Sequence, residues 1–232
     1  KGIPGPAAGS LTNSATLTAA ELAAGELVTI FGTGLGPTQG VGPALDPFTG
    51  LVPTTLGGVR VTFDGVAAPI LYASDKQINA IVPFTIYGRA TSKVTVERDG
   101  VPSDAILMSL TDSFPQVFVS GAQQIVVNSD GTLNSVTNPA KGGSYVTFYM
   151  SGLGRTNPAG IDGHLAAFPL PAPLIPLTTD DPYKILYAGS APGIVEGFIQ
   201  VNMQVPANAQ GGFNRVPLHS GFSDTTVGLY IR

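Results

Sequence analysis

The sequence has no cysteine and no tryptophan, and its only histidines are His164 and His219. Without cysteine there is no disulfide and no thiolate to ligate a metal or attack a substrate, and the compartment cannot be read from redox chemistry. Charge is scarce: 11% of residues are Asp, Glu, Lys or Arg, against about 25% in an average globular chain. The net charge is −4 and the sequence pI is near 5.0. The 11 Lys and Arg residues are scattered singly, so there is no basic field for a phosphate backbone and no nucleic-acid partner is expected. Low charge also weakens repulsion between copies of the chain. No apolar run reaches the roughly 18–20 residues of a transmembrane helix, so no membrane span is expected. The opening residues Lys1-Gly2-Ile3-Pro4-Gly5-Pro6 lack the apolar centre of a signal peptide. A secreted protein after cleavage would begin this way, and so would a cytosolic one.

Turn-forming residues are abundant, with 30 glycines and 20 prolines. Disorder normally combines high charge with few apolar residues. Here 43% of the chain is hydrophobic and the mean hydropathy is +0.27, which describes a folded chain with a weakly charged surface. Many short strands joined by Gly/Pro turns produce this balance.

The chain contains itself twice. Gly25-Glu26-Leu27-Val28-Thr29-Ile30-Phe31 leads into Thr33-Gly34-Leu35-Gly36, and 118 residues later Gly143-Ser144-Tyr145-Val146-Thr147-Phe148-Tyr149 leads into Ser151-Gly152-Leu153-Gly154. Ile70-Leu71-Tyr72-Ala73-Ser74 returns as Ile185-Leu186-Tyr187-Ala188-Gly189, and Gln77-Ile78-Asn79-Ala80-Ile81-Val82-Pro83 as Gln200-Val201-Asn202-Met203-Gln204-Val205-Pro206. A period of about 20–50 residues would mean a solenoid or propeller. This longer one means two domains of ordinary size.

Within each repeat the signals are those of strands. Val59, Val61 and Phe63 alternate with polar residues and share one face. Asp64-Gly65, Asp99-Gly100 and Asp130-Gly131 each follow such a run, and Asp-Gly favours a hairpin because both residues tolerate positive φ. Thr18 to Ala24 could make one or two helical turns before Gly25. Turn signals every ten or so residues predict an all-β fold, two tandem immunoglobulin-like β-sandwiches. A closed barrel is the rival and fits two tandem copies less well. The expected boundaries are a flexible arm over residues 1–9, one sandwich over 10–112 and a second over 113–232, packed together across a short aromatic connection.

Three stretches carry a family resemblance. Gly25 to Gly36, then Val61-Thr62-Phe63-Asp64-Gly65 and Gln77 to Pro83, resemble the IPT/TIG immunoglobulin-like fold. Asn138-Pro139-Ala140-Lys141-Gly142-Gly143, Gly152 to Gly163, and Leu186 to Gly193 ahead of Gln200-Val201-Asn202 complete the pattern. With them, residues 10–232 resemble the Solibacter-type C-terminal domain family of bacterial secreted proteins. The resemblance implies export, an extracellular or cell-surface setting and no catalytic activity.

Residues that could carry chemistry are few. Gly32-Thr33-Gly34-Leu35-Gly36 follows a strand but opens no helix and lacks the dinucleotide spacing, so it reads as a turn. There is no G-x-S-x-G elbow for a nucleophile, and two isolated histidines supply zinc poorly. Asp180-Asp181 and Asn128-Ser129-Asp130-Gly131 offer too few oxygens for calcium. Four glutamates mark no acid pair across a cleft. The expectation is no enzyme, no cofactor and no metal. Tyr72, Tyr145, Tyr149, Tyr183, Tyr187 and the phenylalanines could stack on sugars, but most occupy strand positions and are expected to fill the cores, with Tyr87 exposed in a turn.

The stretch with functional promise is the N-terminal one. Leu11 to Leu17 reads as the first strand of its own sandwich, or as part of an arm that adds to the edge of another copy. Ile3, Pro4, Leu11 and Leu17 are the candidate self-association residues. The expected partners are other copies of the chain, in a surface filament or layer. A cell-surface adhesive or carbohydrate-binding module without self-assembly, holding an extracellular polysaccharide or a host surface, is the alternative.

Overall fold

Glycine and aspartate at positive φ set where the chain reverses, and alternating apolar residues set which way each strand faces. Asp64 and Gly65 have φ of 48° and 83°, and Asp99 and Gly100 have 49° and 83°, the paired left-handed turn that matches strand twist. The strand before the first turn buries Val59, Val61 and Phe63 and turns Arg60 outward, as the alternation predicts. In the computed structural model, which describes residues 5–18 and 21–232, these strands form two β-sandwiches in tandem.

The first sandwich contains β1 (Ala7–Asn13), β2 (Leu27–Thr33), β3 (Val59–Phe63), β4 (Ile70–Ala73), β5 (Gln77–Ile81), β6 (Thr91–Arg98) and β7 (Ile106–Ser109). One sheet has the order β1-β2-β5-β4; the other runs β7-β6-β3 and ends on Thr55–Leu56. Between them lie Val28, Ile30, Val61, Phe63, Ile70, Ile78 and Val94, all almost fully buried. The second sandwich contains β8 (Gln116–Val117), β9 (Tyr145–Ser151), β10 (Lys184–Ser190), β11 (Ile199–Gln204), β12 (Gly212–Ser220) and β13 (Ser223–Ile231). Its sheets run β8-β9-β11-β10 and Thr178–Thr179, β12, β13. They enclose Phe148, Met150, Val201, Met203, Leu218 and Leu229.

The sequence repeat is a repeat of pairing. β2, β5 and β4 correspond to β9, β11 and β10, in the same sheet order. Both copies carry a register shift at one place, between Ile70 and Tyr72 in β4 and between Ile185 and Tyr187 in β10. At the start of the repeat, Gly25 N–H donates to Val82 O and Gly143 N–H to Val205 O. Gln77 Nε2 donates to Asn79 Oδ1 at 2.8 Å, and Gln200 Nε2 to Asn202 Oδ1 at 3.1 Å.

A third apolar cluster belongs to neither sandwich alone. Leu27, Val52, Leu71 and Ile81 of the first meet Phe118, Leu165, Val195 and Phe198 of the second. The rings of Phe118 and Phe198 stack at 5.3 Å. Polar contacts frame the seam: Leu27 N–H donates to Ser151 Oγ at 2.7 Å, Phe84 N–H to Asp162 Oδ1 at 2.8 Å, and the Arg155 guanidinium lies 3.5 Å from the Tyr87 ring centroid. The two sandwiches are packed together, as the short aromatic connection suggested.

Three local expectations change. β1 begins at Ala7, and Ala7 and Ala8 pair with Thr33 and Gly32, so the last residues assigned to the flexible arm form strand. Backbone pairing needs no apolar pattern, and Gly9 lets the register shift between Ala8 and Ser10. The expected helical turns near Thr18 to Ala24 fall partly on Ala19 and Ala20, outside the described residues. Beyond them, Leu22 bridges to Leu110 as extended chain. Phe63 and Phe148 fill the cores as expected and Tyr183 packs against the second, but the other tyrosines belong to neither core cluster. Tyr145 is exposed and Tyr72, Tyr87, Tyr149, Tyr183 and Tyr187 are half-buried, because a phenol oxygen must reach water or a partner.

Candidate functional site: sheet edges and a groove on the second sandwich

Ile3 and Pro4 lie outside the described residues. Leu11 is 3% exposed and packs in the first core, because β1 is a strand of its own sandwich and Leu11 faces inward. It anchors the strand and offers no contact to another molecule. Leu17 is 55% exposed and has a φ of 56°. It stands on the rim of a groove of about 520 Å3 between the sandwiches, beside Phe118 and Phe198.

The sheet edges differ in how they end. An unpaired edge strand is a template for another chain, and proteins commonly block it. The outer edge of β4 is covered by Val41, which exchanges two backbone hydrogen bonds with Ala73. β10 runs beside the proline-rich segment, where Ser190 N–H donates to Pro171 O at 2.7 Å. The outer edge of β13 is closed by side chains. Gln124 Nε2 donates to Thr226 O at 2.7 Å while its Oε1 accepts from Gly228 N–H at 2.6 Å. Asn134 does the same to Tyr230, donating to its O at 2.8 Å and accepting from its N–H at 2.7 Å. Each amide takes the place of a neighbouring strand. β1 has no such cover among the described residues: its ladder bonds go to β2, and Ala7, Gly9 and Ser10 are exposed and uncharged.

The histidines are engaged by carboxylates. His219 Nδ1 lies 2.8 Å from Asp224 Oδ1 and Nε2 lies 3.3 Å from Asp180 Oδ1. The Asp224 bond raises its pKa above the usual imidazole value, outweighing desolvation, with Asp180 adding to the rise. With both ring nitrogens directed at acids, this imidazole is poorly placed to take a proton from a hydroxyl. His164 Nδ1 meets Glu196 Oε1 at 2.7 Å, and Glu196 Oε2 accepts from Ile161 N–H. That carboxylate clamps the loop at the seam. No serine hydroxyl bonds either histidine among the described residues. Several of the oxygens considered for calcium are engaged: Asp130 Oδ1 accepts from Thr132, Asp180 Oδ1 meets His219, and the Asn128 side chain bonds Asn138 and Asn134.

Glu26 is the most perturbed acid, fully buried beside the seam. Asn13 Nδ2 donates to Oε1 and Ala23 N–H to Oε2, both at 2.7 Å. Desolvation dominates and pushes its pKa up to about 8, with the two hydrogen bonds pulling the other way. Those bonds hold the loop between β1 and β2, on which Ala15 O accepts from Val119 N–H of the second sandwich. Its position in the repeat is taken by Ser144 in the other copy, so the acid belongs to the junction and not to the sandwich pattern.

A groove of about 680 Å3 lies on the outer face of β12 and β13. Phe213 pairs with Tyr230 across the hairpin, their centroids 5.1 Å apart at 54°. Arg215, opposite Gly228, has its guanidinium carbon 5.8 Å from the Phe213 centroid. A Cβ at Gly228 would meet the Phe213 ring at 2.7 Å, so the missing side chain gives the ring its bed. Sequence reading missed this groove. The signal was present as alternation of Phe213 and Arg215 with inward residues, but not the fact that Gln123, Gln124 and Asn134 come to lie beside them.

No family model matches the chain, and no curated protein is significantly similar to it. Several solved structures overlap it weakly. The plexin A4 extracellular region is 11% identical, with 97% of this chain and 18% of that one covered and a TM-score of 0.34. SGBP-B, from a complex xyloglucan utilization locus in Bacteroides uniformis, is 14% identical over 98% of this chain and 50% of its own, with a TM-score of 0.25. Domains 5–6 of the S-layer protein SbsC are 9% identical over 97% and 98%, with a TM-score of 0.29. The chain therefore spans half or less of the first two.

Proposed function

We propose that this chain is a non-enzymatic extracellular structural protein that self-associates into a filament or layer, through the outer edge of β1 and the residues preceding it. The observation that carries the reading is the contrast among edges. β4, β10 and β13 are covered by backbone, proline-rich chain or side-chain amides, while β1 presents Ala7 to Ser10 without charge or cover. Small side chains there let another strand approach closely, and main-chain hydrogen bonds would supply the contact. A head-to-tail contact of this kind propagates into an open filament when its rotation does not close a ring. Exposed Leu17 follows β1 in the chain, and Leu11 fixes the strand from the core side. The low charge of the chain and the resemblance of residues 10–232 to a secreted family support the setting.

Sedimentation velocity and negative-stain microscopy over a concentration series test the reading. The wild-type protein is expected to form extended assemblies, and the double substitution Ala7→Lys, Ser10→Lys, placed on exposed positions, to leave monomers of unchanged circular dichroism. A protein that remains a single two-lobed particle at high concentration would overturn self-assembly. Assemblies indifferent to both lysines would remove β1 as the contact.

A further inference from the structure

The groove on the second sandwich includes no residue of β1 in its lining and has its own chemistry. Its lining contains no aspartate or glutamate, and Arg215 is its one charged residue. Arg215 is exposed and pairs with no carboxylate among the described residues. Beside it lie Phe213, 53% exposed, and half-buried Tyr230. Gln123 also lines it and donates through Nε2 to Asn134 O at 2.9 Å, with its Oε1 bonded to nothing in the described chain. Thr226 and Tyr230 also line it, and their hydroxyls bond nothing in the described chain.

We infer that this groove binds a hexuronate-containing saccharide, with the sugar's C–H face against Phe213 and Tyr230 and its carboxylate on Arg215. A volume of about 680 Å3 suits a short oligosaccharide, within the range of about 300–1,000 Å3 usual for small-molecule sites. An aromatic face gives the apolar side of a pyranose a surface to cover. The arginine fork matches a carboxylate in two parallel hydrogen bonds. Gln123 Oε1 and the Thr226 and Tyr230 hydroxyls supply partners for sugar hydroxyls.

Two other anionic ligands fit less well, for one structural reason. A phosphate site draws on converging backbone N–H groups, but here the N–H groups of Gly228 and Tyr230 are occupied by Gln124 and Asn134. An acidic peptide would dock by adding a strand to β13, and the same two amides block that edge. What remains open is a side-chain surface of one cation, two rings and neutral oxygen acceptors.

The test uses the whole chain and NMR titration with trigalacturonate, a hyaluronan tetrasaccharide, neutral maltotriose, inorganic phosphate and a tri-aspartate peptide. At least one hexuronate chain is expected to shift the amides of Gln123, Gly228 and Tyr230, and to bind at least tenfold more tightly than maltotriose. Arg215→Ala should weaken that binding by about tenfold or more, as loss of a charged hydrogen-bond pair does. Phe213→Ala should weaken it too, and Ala7→Lys, Ser10→Lys should leave it unchanged. Absence of shifts at these amides with either hexuronate would overturn the inference, as would equal affinity for maltotriose. Phosphate or tri-aspartate binding as tightly, with Phe213→Ala without effect, would reduce the groove to a simple anion contact and overturn it as well.

Discussion

Glu26 shows how one buried group ties local chemistry to pH. Its carboxyl ionises near 4.5 in an unfolded chain and near 8 in the fold, because burial disfavours the charge more than Asn13 and Ala23 favour it. A raised acid pKa means that the folded state holds its proton longer. The stability tied to Glu26 is therefore full below pH 4.5 and declines as pH rises toward 8. The loss between pH 4.5 and 7 is on the order of 3 kcal/mol. Urea denaturation at pH 5, 6.5 and 8 should show falling stability, and Glu26→Gln should flatten that trend. An unchanged slope in the variant would mean that another group carries it. Nothing in the sequence announced this residue. Glu26 sits in a strand-entry position where its counterpart is Ser144, and its desolvation comes from tertiary burial at the seam, with Gly152 of the second sandwich close to its carboxylate.

At the scale of the element, strands were legible where apolar residues alternate and where Asp-Gly reverses the chain. β3 with Asp64-Gly65 after it, and β6 with Asp99-Gly100 after it, follow the pattern closely. The third pair behaves differently: at Asp130-Gly131 only the glycine takes positive φ, and Asp130 instead accepts from Thr132 within the turn. Edge protection was not legible, because it rests on amides distant in sequence. Gln124 reaches Thr226 and Gly228, about a hundred positions away. Gln124→Ala removes both bonds and leaves the β13 edge to solvent. Hydrogen exchange should then accelerate at Gly228 N–H, with global stability falling by about 1–2 kcal/mol. Exchange at Tyr230, held by Asn134, should change much less. Equal protection at Gly228 in the variant would show that water or another group replaces the amide without loss.

At the scale of the molecule, the shared apolar cluster makes the two sandwiches unfold as a pair. Gly197 permits the close approach, with a φ of 116°. A Cβ there would come within 2.5 Å of Gly25 O and 3.2 Å of the Leu27 side chain. A carbonyl oxygen cannot turn aside as a side-chain tip can, so Gly197→Ala must part the seam. Calorimetry should show one cooperative transition for the wild-type chain and two separated ones for Gly197→Ala, while each core keeps its strands. A single transition at an unchanged temperature would deny the seam that coupling.

The sequence alone determined the repeat, the all-β class and the inward face of the repeat strands, since these depend on residue type and spacing along the chain. It also indicated that the halves touch, through the aromatic connection. Tertiary structure alone decided which edges are closed, why Leu11 is core and Leu17 rim, what Glu26 experiences, and which side chains share the groove of Phe213 and Arg215. The physical reason is range. Strand alternation and turn chemistry act over a few residues, whereas an edge, a desolvated acid or a binding groove exists only once segments far apart in sequence are held side by side.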